Sequence, residues 1–177
     1  ILDSETPNAF AAPAGYLFIT TGALDLMESE AELAGVLGHE ISHVTEMHMI
    51  RTLKRNQLFS AASSTAQAVD EDAEKYTERF DTGQDLLFNK GLDQRFEYEA
   101  DVVGTELATL TGYDPNGLSL FLEKLGRVSE KQGGIFKTHP DSNSRVSKLR
   151  RLTTTQFSGI SGAKLKDRFY QNVTSRL

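Results

Sequence analysis

Two histidines four residues apart flank a glutamate in the string His39-Glu40-Ile41-Ser42-His43. In an α-helix, positions four apart differ by only about 40° around the axis, so both imidazoles can face one metal ion. Glu40, about 100° from His39, can take a proton from a water on that ion and later pass it to a leaving amine. Zinc accepts such ligands, and a catalytic zinc site has three protein ligands and one open position. The motif therefore predicts a zinc hydrolase site that needs a third ligand.

The acidic stretch Phe96-Glu97-Tyr98-Glu99-Ala100-Asp101 is the best source of that ligand. Glu97 and Asp101 share one face of a predicted helix because they are four residues apart. If Glu97 binds the metal, Asp101 can accept a hydrogen bond from a ligand histidine and orient its ring. Glu99 competes by composition, but it points about 200° away from Glu97 and has no carboxylate four residues later. We expect one zinc ion per chain, bound by His39, His43 and Glu97.

A third histidine, His48, does not suit a ligand role. It follows His43 by five residues without a glycine between them, whereas a metzincin has its third histidine six residues past the second, beyond a glycine. On a continuous helix His48 would lie about 180° from His39. The sequence predicts an ordinary, partly exposed histidine here.

Helix signals place the motif in a helix predicted over residues 30–56. Ser29 and Glu32 have the spacing of a capping box at its start. A polar trio in mid-helix beside a buried stripe is costly unless it binds something, so a solvated surface face is the weaker alternative. The apolar residues expected to form that stripe repeat at three- and four-residue spacing: Leu33, Val36, Leu37, Ile41, Val44 and Met47.

Turn residues divide the remaining chain into short elements. Ala9–Ala12 and Tyr16–Thr21, separated by Pro13-Ala14-Gly15, predict a strand pair. A helix over about 91–111 carries Glu97 and stops at Gly112. The predicted fold class is α+β, mainly helical, with a small sheet beside the zinc helix.

Towards the C-terminus, Asp114 and Pro115 predict the cap and first position of a helix that turns Leu118, Phe121, Leu122, Leu125 and Val128 inward. A last clear helix is predicted over 142–153. Residues 60–70 are small and polar, and we expect a loose helix or a mobile crossover there. We assign residues 1–157 to the catalytic domain and 158–177 to a tail without a decisive pattern.

Several motifs together resemble the zinc metallopeptidases that include the HtpX-type proteases and the CAAX prenyl proteases. The resemblance covers about residues 3–152 and implies a zincin-like gluzincin fold, with Glu97 as third ligand, and endopeptidase activity in protein quality control. Those relatives span membranes, whereas this chain has no run of about 18 apolar residues. It resembles the family's soluble periplasmic or lipoprotein branch. In the family's order, the motifs are Asn8-Ala9-Phe10-Ala11-Ala12-Pro13, Phe18-Ile19-Thr20-Thr21-Gly22, the His-Glu-x-x-His helix, Phe96–Asp101 and His139-Pro140.

The resemblance also suggests roles around the zinc ion. The Asn-Ala-Phe segment resembles a substrate-side edge strand, so Ala9, Phe10 and Ala11 are expected to bind an extended peptide by strand addition. His139 is a candidate donor to the oxyanion of the reaction, and Arg145 is a less favoured candidate for this contact with substrate. His139 could instead close the open zinc position in a resting state, or be a loop histidine without a role. The sequence does not separate these alternatives.

Composition limits the function class. The 177 residues are 38% hydrophobic with a mean hydropathy of −0.37, which is typical of one soluble domain. A net charge of −6 and a pI near 5.2 argue against nucleic acid as a partner. The chain has no cysteine, so disulfides and thiol catalysis are excluded. Because it begins at Ile1 without methionine, we expect that an upstream piece such as a signal segment was removed.

Two other function classes stay open. One is a structural zinc protein, which would need a fourth protein ligand and would have no use for Glu40. The other is a chaperone or assembly factor with weak or latent peptidase activity, against which the intact Glu40 argues. The resemblance implies a periplasmic or cell-envelope location and a peptide or unfolded protein as substrate. It is also compatible with peripheral association with a membrane.

Overall fold

Helices form most of the structure, beside one small sheet. The computed structural model describes residues 1–63, 92–132, 139 and 142–177. This mainly helical α+β architecture, with the sheet against α2, confirms the predicted fold class. The strands are β1 (Ala9–Ala12) and β2 (Tyr16–Ile19), and the helices are α1 (Thr21–Leu26), α2 (Glu30–Thr45), α3 (His48–Ser63), α4 (Gln94–Leu110), α5 (Gly117–Gln132), α6 (Ser142–Gln156) and α7 (Lys166–Asn172).

The two strands pair antiparallel, and Ala9 lies opposite Ile19. The second strand was expected to continue to Thr21 but ends at Ile19, because the next residue caps a helix that the sequence did not predict. The Thr20 side chain accepts a hydrogen bond from the Ala23 amide at 3.2 Å and so begins α1. The sheet packs against α2, and α1 packs against α5.

Helix α2 begins at the predicted cap, but its buried face matches the predicted apolar stripe only in part. The Ser29 hydroxyl accepts a hydrogen bond from the Glu32 amide at 3.3 Å, as a capping box requires. Ile41 and Met47 are 39% and 58% exposed, so the predicted apolar stripe is wrong at these two positions. Val36 of that stripe is buried, and the other buried residues are small or polar: Ala31, Glu32, Gly35, Gly38, His39, Glu40, Ser42 and His43.

The single helix predicted over 30–56 is two helices. Helix α2 ends at Thr45 and α3 begins at His48. Between them Met47 has a φ of 54°, a left-handed conformation that L-residues other than glycine adopt rarely. Neither glycine nor proline lies between His43 and Arg55, so the sequence carries no local signal for this break.

Helices α2 and α4 cross where two glycines meet. A Cβ atom added at Gly38 would lie 2.5 Å from the Gly104 carbonyl oxygen, and one added at Gly104 would lie 2.5 Å from the His39 amide nitrogen. The two backbones can approach this closely only because neither position has a side chain. The contact brings the face of α4 that carries Glu97 and Asp101 against the buried face of α2.

Helix α5 begins at Gly117 rather than at Pro115. Asp114 forms a turn before the helix, since its Oδ1 accepts a hydrogen bond from the Asn116 amide at 2.9 Å. Most of the residues of α5 that were predicted to face inward are buried. They pack with residues of α1, α2, α6 and α7 into one core. That core contains Leu24, Met27, Val36, Leu118, Phe121, Leu122, Leu125, Leu149 and Phe169.

The C-terminal segment packs on this core. Phe169 of α7 is 1% exposed, and the Arg168 guanidinium pairs with Glu30 at the start of α2. No helix within 1–63, 92–132 and 142–177 has the length and apolarity that a membrane crossing requires. Residues 64–70 of the predicted crossover, and Pro140, lie outside the described residues.

Candidate metal centre

Four side chains from α2, α4 and the segment before α6 converge on one point. Their ligand atoms, on His39, His43, Glu97 and His139, all lie within 4.8 Å of one another. The Nε2 atoms of His39 and His43 are 2.9 Å apart. The Glu97 carboxylate spans both, with Oε2 3.5 Å from His39 Nε2 and Oε1 3.5 Å from His43 Nε2. The structure thus brings together the three residues expected to bind metal.

This donor set suits a metal cation. Two neutral imidazole nitrogens at 2.9 Å would face each other with their lone pairs unless a proton or a cation lay between them. Glu97 Oε1 is buried and has no hydrogen-bond partner. An unpaired, buried carboxylate oxygen is costly, and a cation held by the same three groups would satisfy it.

The charges around the site also favour a cation. Glu40, Glu97, Asp101 and Arg145 are all at most 3% exposed, and together they carry a formal charge of −2. Burial and Arg145 disfavour protonation of His39, but Asp101 and Glu97 outweigh both and raise the pKa of His39 to about 9. Surroundings that hold an extra proton on a buried imidazole also suit a metal cation in its place.

The other two donors are held in the states that bind metal. Burial, and then repulsion from His39, lower the pKa of His43 well below its usual value, so its ring is neutral. Burial works against ionisation of Glu97, but His139, His39 and Arg145 hold the pKa of this carboxyl well below its usual value. A neutral imidazole and an ionised carboxylate are the forms that ligate metals.

Asp101 lies directly behind His39. Its Oδ1 is 3.0 Å from His39 Nδ1 and accepts a hydrogen bond from Arg145 Nη2 at 2.6 Å, and its Oδ2 accepts one from Arg145 Nε at 2.9 Å. Arg145 Nη1 is 2.9 Å from Glu97 Oε2, an ion pair at an angle too poor for a hydrogen bond. The guanidinium therefore supports two carboxylates of the site, and a contact between Arg145 and substrate stays a prediction.

The prediction of a partly exposed histidine at His48 is wrong. His48 is 0% exposed, its Nδ1 lies 2.8 Å from His43 Nδ1, and its Nε2 lies 3.2 Å from Glu99 Oε2. The reason is the break at Met47, which turns the first residue of α3 back towards α2. The ring also stacks on Phe96 at a centroid distance of 4.7 Å. Helical spacing could not reveal this contact, because it assumed a continuous helix.

His139 lies between the other candidate metal ligands and the sheet. Its Nδ1 is 2.8 Å from Glu97 Oε2, and its Nε2 is 3.3 Å from the Ala9 carbonyl oxygen and 3.4 Å from Glu40 Oε1. Burial opposes protonation of this ring, but the carboxylates of Glu97 and Glu40 raise the pKa of His139. Of the proposed substrate-strand residues, Ala9 therefore lies next to the cluster, while the Phe10 ring stacks on Phe18 of β2.

An apolar pocket adjoins the cluster. Its volume is about 390 Å³ when its open mouth is counted. Side chains of α5, including Leu118, Phe121 and Leu122, line it, and His39 and Glu40 border it. Apolar groups and the polar centre thus share one cleft.

The chain is similar to known metallopeptidases. It is 32% identical to the mitochondrial metalloendopeptidase OMA1 of Arabidopsis thaliana over 151 residues, which cover 84% of this chain and 30% of that relative. It is 29% identical over 163 residues to the beta-barrel assembly-enhancing protease of Escherichia coli K12, covering 85% and 33% of the two chains. The metalloprotease LoiP of the same strain is 32% identical over 148 residues, covering 81% and 57%.

The chain therefore spans about a third of the length of the first two relatives and somewhat more than half of the third. A family model, described as Peptidase family M48, matches residues 1–153. These residues include the whole cluster around His39, His43, Glu97 and His139. The match confirms the resemblance that the motifs showed: the chain belongs to peptidase family M48.

Proposed function

We propose that residues 1–157 form the catalytic domain of a zinc-dependent metalloendopeptidase that cleaves unfolded or misassembled proteins. The observation that carries the proposal is the convergence of His39, His43 and Glu97, with Glu40 beside them, in a buried site of negative formal charge. Zinc is the proposed metal because it prefers imidazole nitrogen and carboxylate oxygen in tetrahedral geometry. Membership of a peptidase family supports the reaction class.

The chain's own residues supply the proton transfers. When bound, zinc would polarise the scissile carbonyl and lower the pKa of a water molecule. Glu40 follows the ligand His39 directly in the chain and faces the same cluster, with Oε1 3.4 Å from His139 Nε2. It would take the proton of the attacking water and deliver it to the leaving amine.

The sheet and the apolar pocket support an extended substrate. The Ala9 carbonyl lies within hydrogen-bond reach of a ring in the metal cluster, so a peptide running along β1 would bring a backbone carbonyl close to the cluster. Ala9, Phe10 and Ala11 would bind that peptide through the backbone, and the pocket beside Glu40 would take an apolar side chain. Both features suit an unfolded chain with exposed apolar residues.

His139 would hold the site in a resting conformation. Its ring lies among the ligand atoms and also contacts the Ala9 carbonyl. It therefore occupies both the metal site and the β1 backbone, which a bound substrate would have to contact. If it blocks the site, His139→Ala should raise the rate of casein hydrolysis several-fold. If it donates to the oxyanion instead, the same change should lower kcat. An unchanged rate would leave His139 without either role.

The proposed location is the periplasm or another part of the cell envelope, with the domain acting in protein quality control. One relative is named the beta-barrel assembly-enhancing protease, and this name supports a role in acting on misassembled proteins. A relative named as mitochondrial shows that similar domains serve other compartments too. Peripheral association with a membrane is compatible with this proposal, and nucleic acid is not a proposed partner.

The decisive experiment measures zinc content and casein hydrolysis for the wild type and for Glu40→Gln. The amide cannot take a proton, so we expect full zinc content and a loss of activity of at least about 10²–10⁴-fold. Activity within tenfold of the wild type would assign the base elsewhere. A wild type that binds zinc and suppresses aggregation without hydrolysing casein would favour a chaperone with latent activity.

A further inference from the structure

The two proposed ligand histidines need different partners behind them. A metal-binding imidazole presents one nitrogen to the metal, and the hydrogen bond at its other nitrogen fixes its tautomer and orientation. For His39 this partner is Asp101, 3.0 Å from Nδ1. For His43 no carboxylate of the described residues lies at Nδ1, and the atom found there is His48 Nδ1, at 2.8 Å.

The direction of this contact follows from the next one. Glu99 Oε2 is 3.2 Å from His48 Nε2, and an ionised carboxylate only accepts hydrogen bonds, so His48 Nε2 must carry a proton. Two ring nitrogens 2.8 Å apart need one donor and one acceptor. With its proton on Nε2, the His48 ring has a lone pair at Nδ1 and is the acceptor. His43 Nδ1 must donate to it, and this leaves the His43 Nε2 lone pair for the metal.

We propose that His48 and Glu99 form a relay that positions His43, in which Glu99 fixes the tautomer of His48 and His48 fixes that of His43. His48 is thus a positioning residue for metal binding rather than a ligand. This inference rests on the proposed metal site and adds a residue that the chemistry of the ligands alone does not identify.

The surroundings hold His48 in one orientation. The ring is 0% exposed and stacks on Phe96 with an interplanar angle of 19°. At the outer end, Arg51 Nη1 lies 3.1 Å from Glu99 Oε2. In the opposite arrangement His48 would carry its proton on Nδ1 and donate it to His43 Nδ1. A His48 lone pair would then face the Glu99 carboxylate, and the proton of His43 would lie on its metal-binding nitrogen, so both contacts disfavour this arrangement.

The first test compares zinc affinities by competition with a fluorescent chelator. His48→Phe keeps the ring and its stacking on Phe96 but leaves the His43 Nδ1–H buried without an acceptor, so zinc affinity should fall about 10–100-fold. His48→Asn returns a carbonyl oxygen near the position of Nδ1 and should recover most of this loss. Arg55→Ala is the control, because it removes another contact between α3 and α4, the ion pair with Asp93, without touching the relay. It should leave zinc affinity unchanged.

The second test needs no substitution. Long-range ¹H–¹⁵N NMR of the zinc-loaded wild type should show His48 as the Nε2–H tautomer. An Nδ1–H tautomer at His48, or wild-type zinc affinity in a folded His48→Phe, would overturn the relay. The proposed function fails separately, if the wild type binds no zinc or if Glu40→Gln still hydrolyses casein.

Discussion

His39 and His43 lie one helical turn apart on α2, but they are supported in different ways. Behind His39 a carboxylate, Asp101, makes direct contact and is itself paired with Arg145, and all three groups are at most 3% exposed. Behind His43 the first partner is another imidazole, that of His48. The carboxylate of Glu99 lies one ring further out, and its side chain is 37% exposed.

The difference indicates that the contact behind His39 both orients its ring and stabilises the fold, whereas the contact behind His43 mainly orients its ring. The support of His39 is an ion pair closed off from water, so removing one member leaves a buried charge without a partner. The support of His43 ends near solvent, where water can replace a lost group at little cost. Changes behind His39 should therefore lower both stability and metal affinity, whereas changes behind His43 should lower mainly metal affinity.

The largest effect should come from Glu97, the proposed ligand that both sides share. Glu97→Ala removes the carboxylate that faces both imidazoles, and zinc affinity should fall by more than the roughly 100-fold that marks the upper range for outer partners. Glu99→Ala is the comparison variant, two residues along the same helix. It removes only the outer end of the relay, where water can replace the exposed carboxylate, so zinc affinity should fall far less than in Glu97→Ala. A chelator competition assay measures both, and equal zinc retention in the two variants would contradict the assignment of Glu97.

The next effect tests the buried side. Asp101→Ala leaves Arg145 buried without its main partner, and breaking such a pair should lower the free energy of unfolding by about 3–5 kcal/mol. Zinc affinity should fall about 10–100-fold because His39 loses its orienting contact. Urea denaturation of the metal-free protein checks the first effect. If Asp101→Ala and Glu99→Ala were equally stable, the contrast between the two sides would be lost.

A smaller effect should follow from the helix crossing. Gly104→Ala adds a Cβ that would lie 2.5 Å from the His39 amide nitrogen, so it should lower the free energy of unfolding by about 1–3 kcal/mol. Zinc affinity should also decrease, because α4 carries both Glu97 and Asp101. Val102→Ala changes an exposed position on the same helix and should stay within about 0.5 kcal/mol of the wild type by urea denaturation.

The smallest effect concerns the residue that turns α3 towards α2. Met47 is 58% exposed and has a positive φ, so Met47→Gly removes little packing and relieves a strain of about 1–2 kcal/mol. Glycine also loses more backbone entropy on folding, which offsets this gain, so we expect stability and zinc affinity close to those of the wild type. Met47→Val, which disfavours this conformation, should weaken zinc binding by displacing His48. Equal zinc affinity in both variants would show that the turn at Met47 does not hold the relay in place.

Short-range patterns predicted much of the fold. The capping box at Ser29, the strand pair and the helix end near Gly112 all depend on a few neighbouring residues, and the structure has them close to where they were expected. The errors have a common cause. Ile41 and Met47 fit an apolar spacing, but close packing against α4 requires the small residues of α2 on the buried face, so tertiary contact outweighed hydrophobicity.

The sequence by itself determined which side chains can act together within one helix. The spacing of His39 and His43, and that of Glu97 and Asp101, depends only on the helical repeat, so their shared faces follow without a structure. Only the tertiary structure decided what lies behind these residues. The break at Met47 depends on how two helices pack rather than on a local glycine or proline signal.

The approach of α4, the burial of Arg145 and the packing of Phe169 are also contacts between residues far apart in the chain. Periodicity carries no information about such contacts, because it records which residues share a face and not which face of another element meets them. For this reason the sequence identifies candidate ligands and a candidate base, whereas the partner of each ligand histidine is decided by the fold.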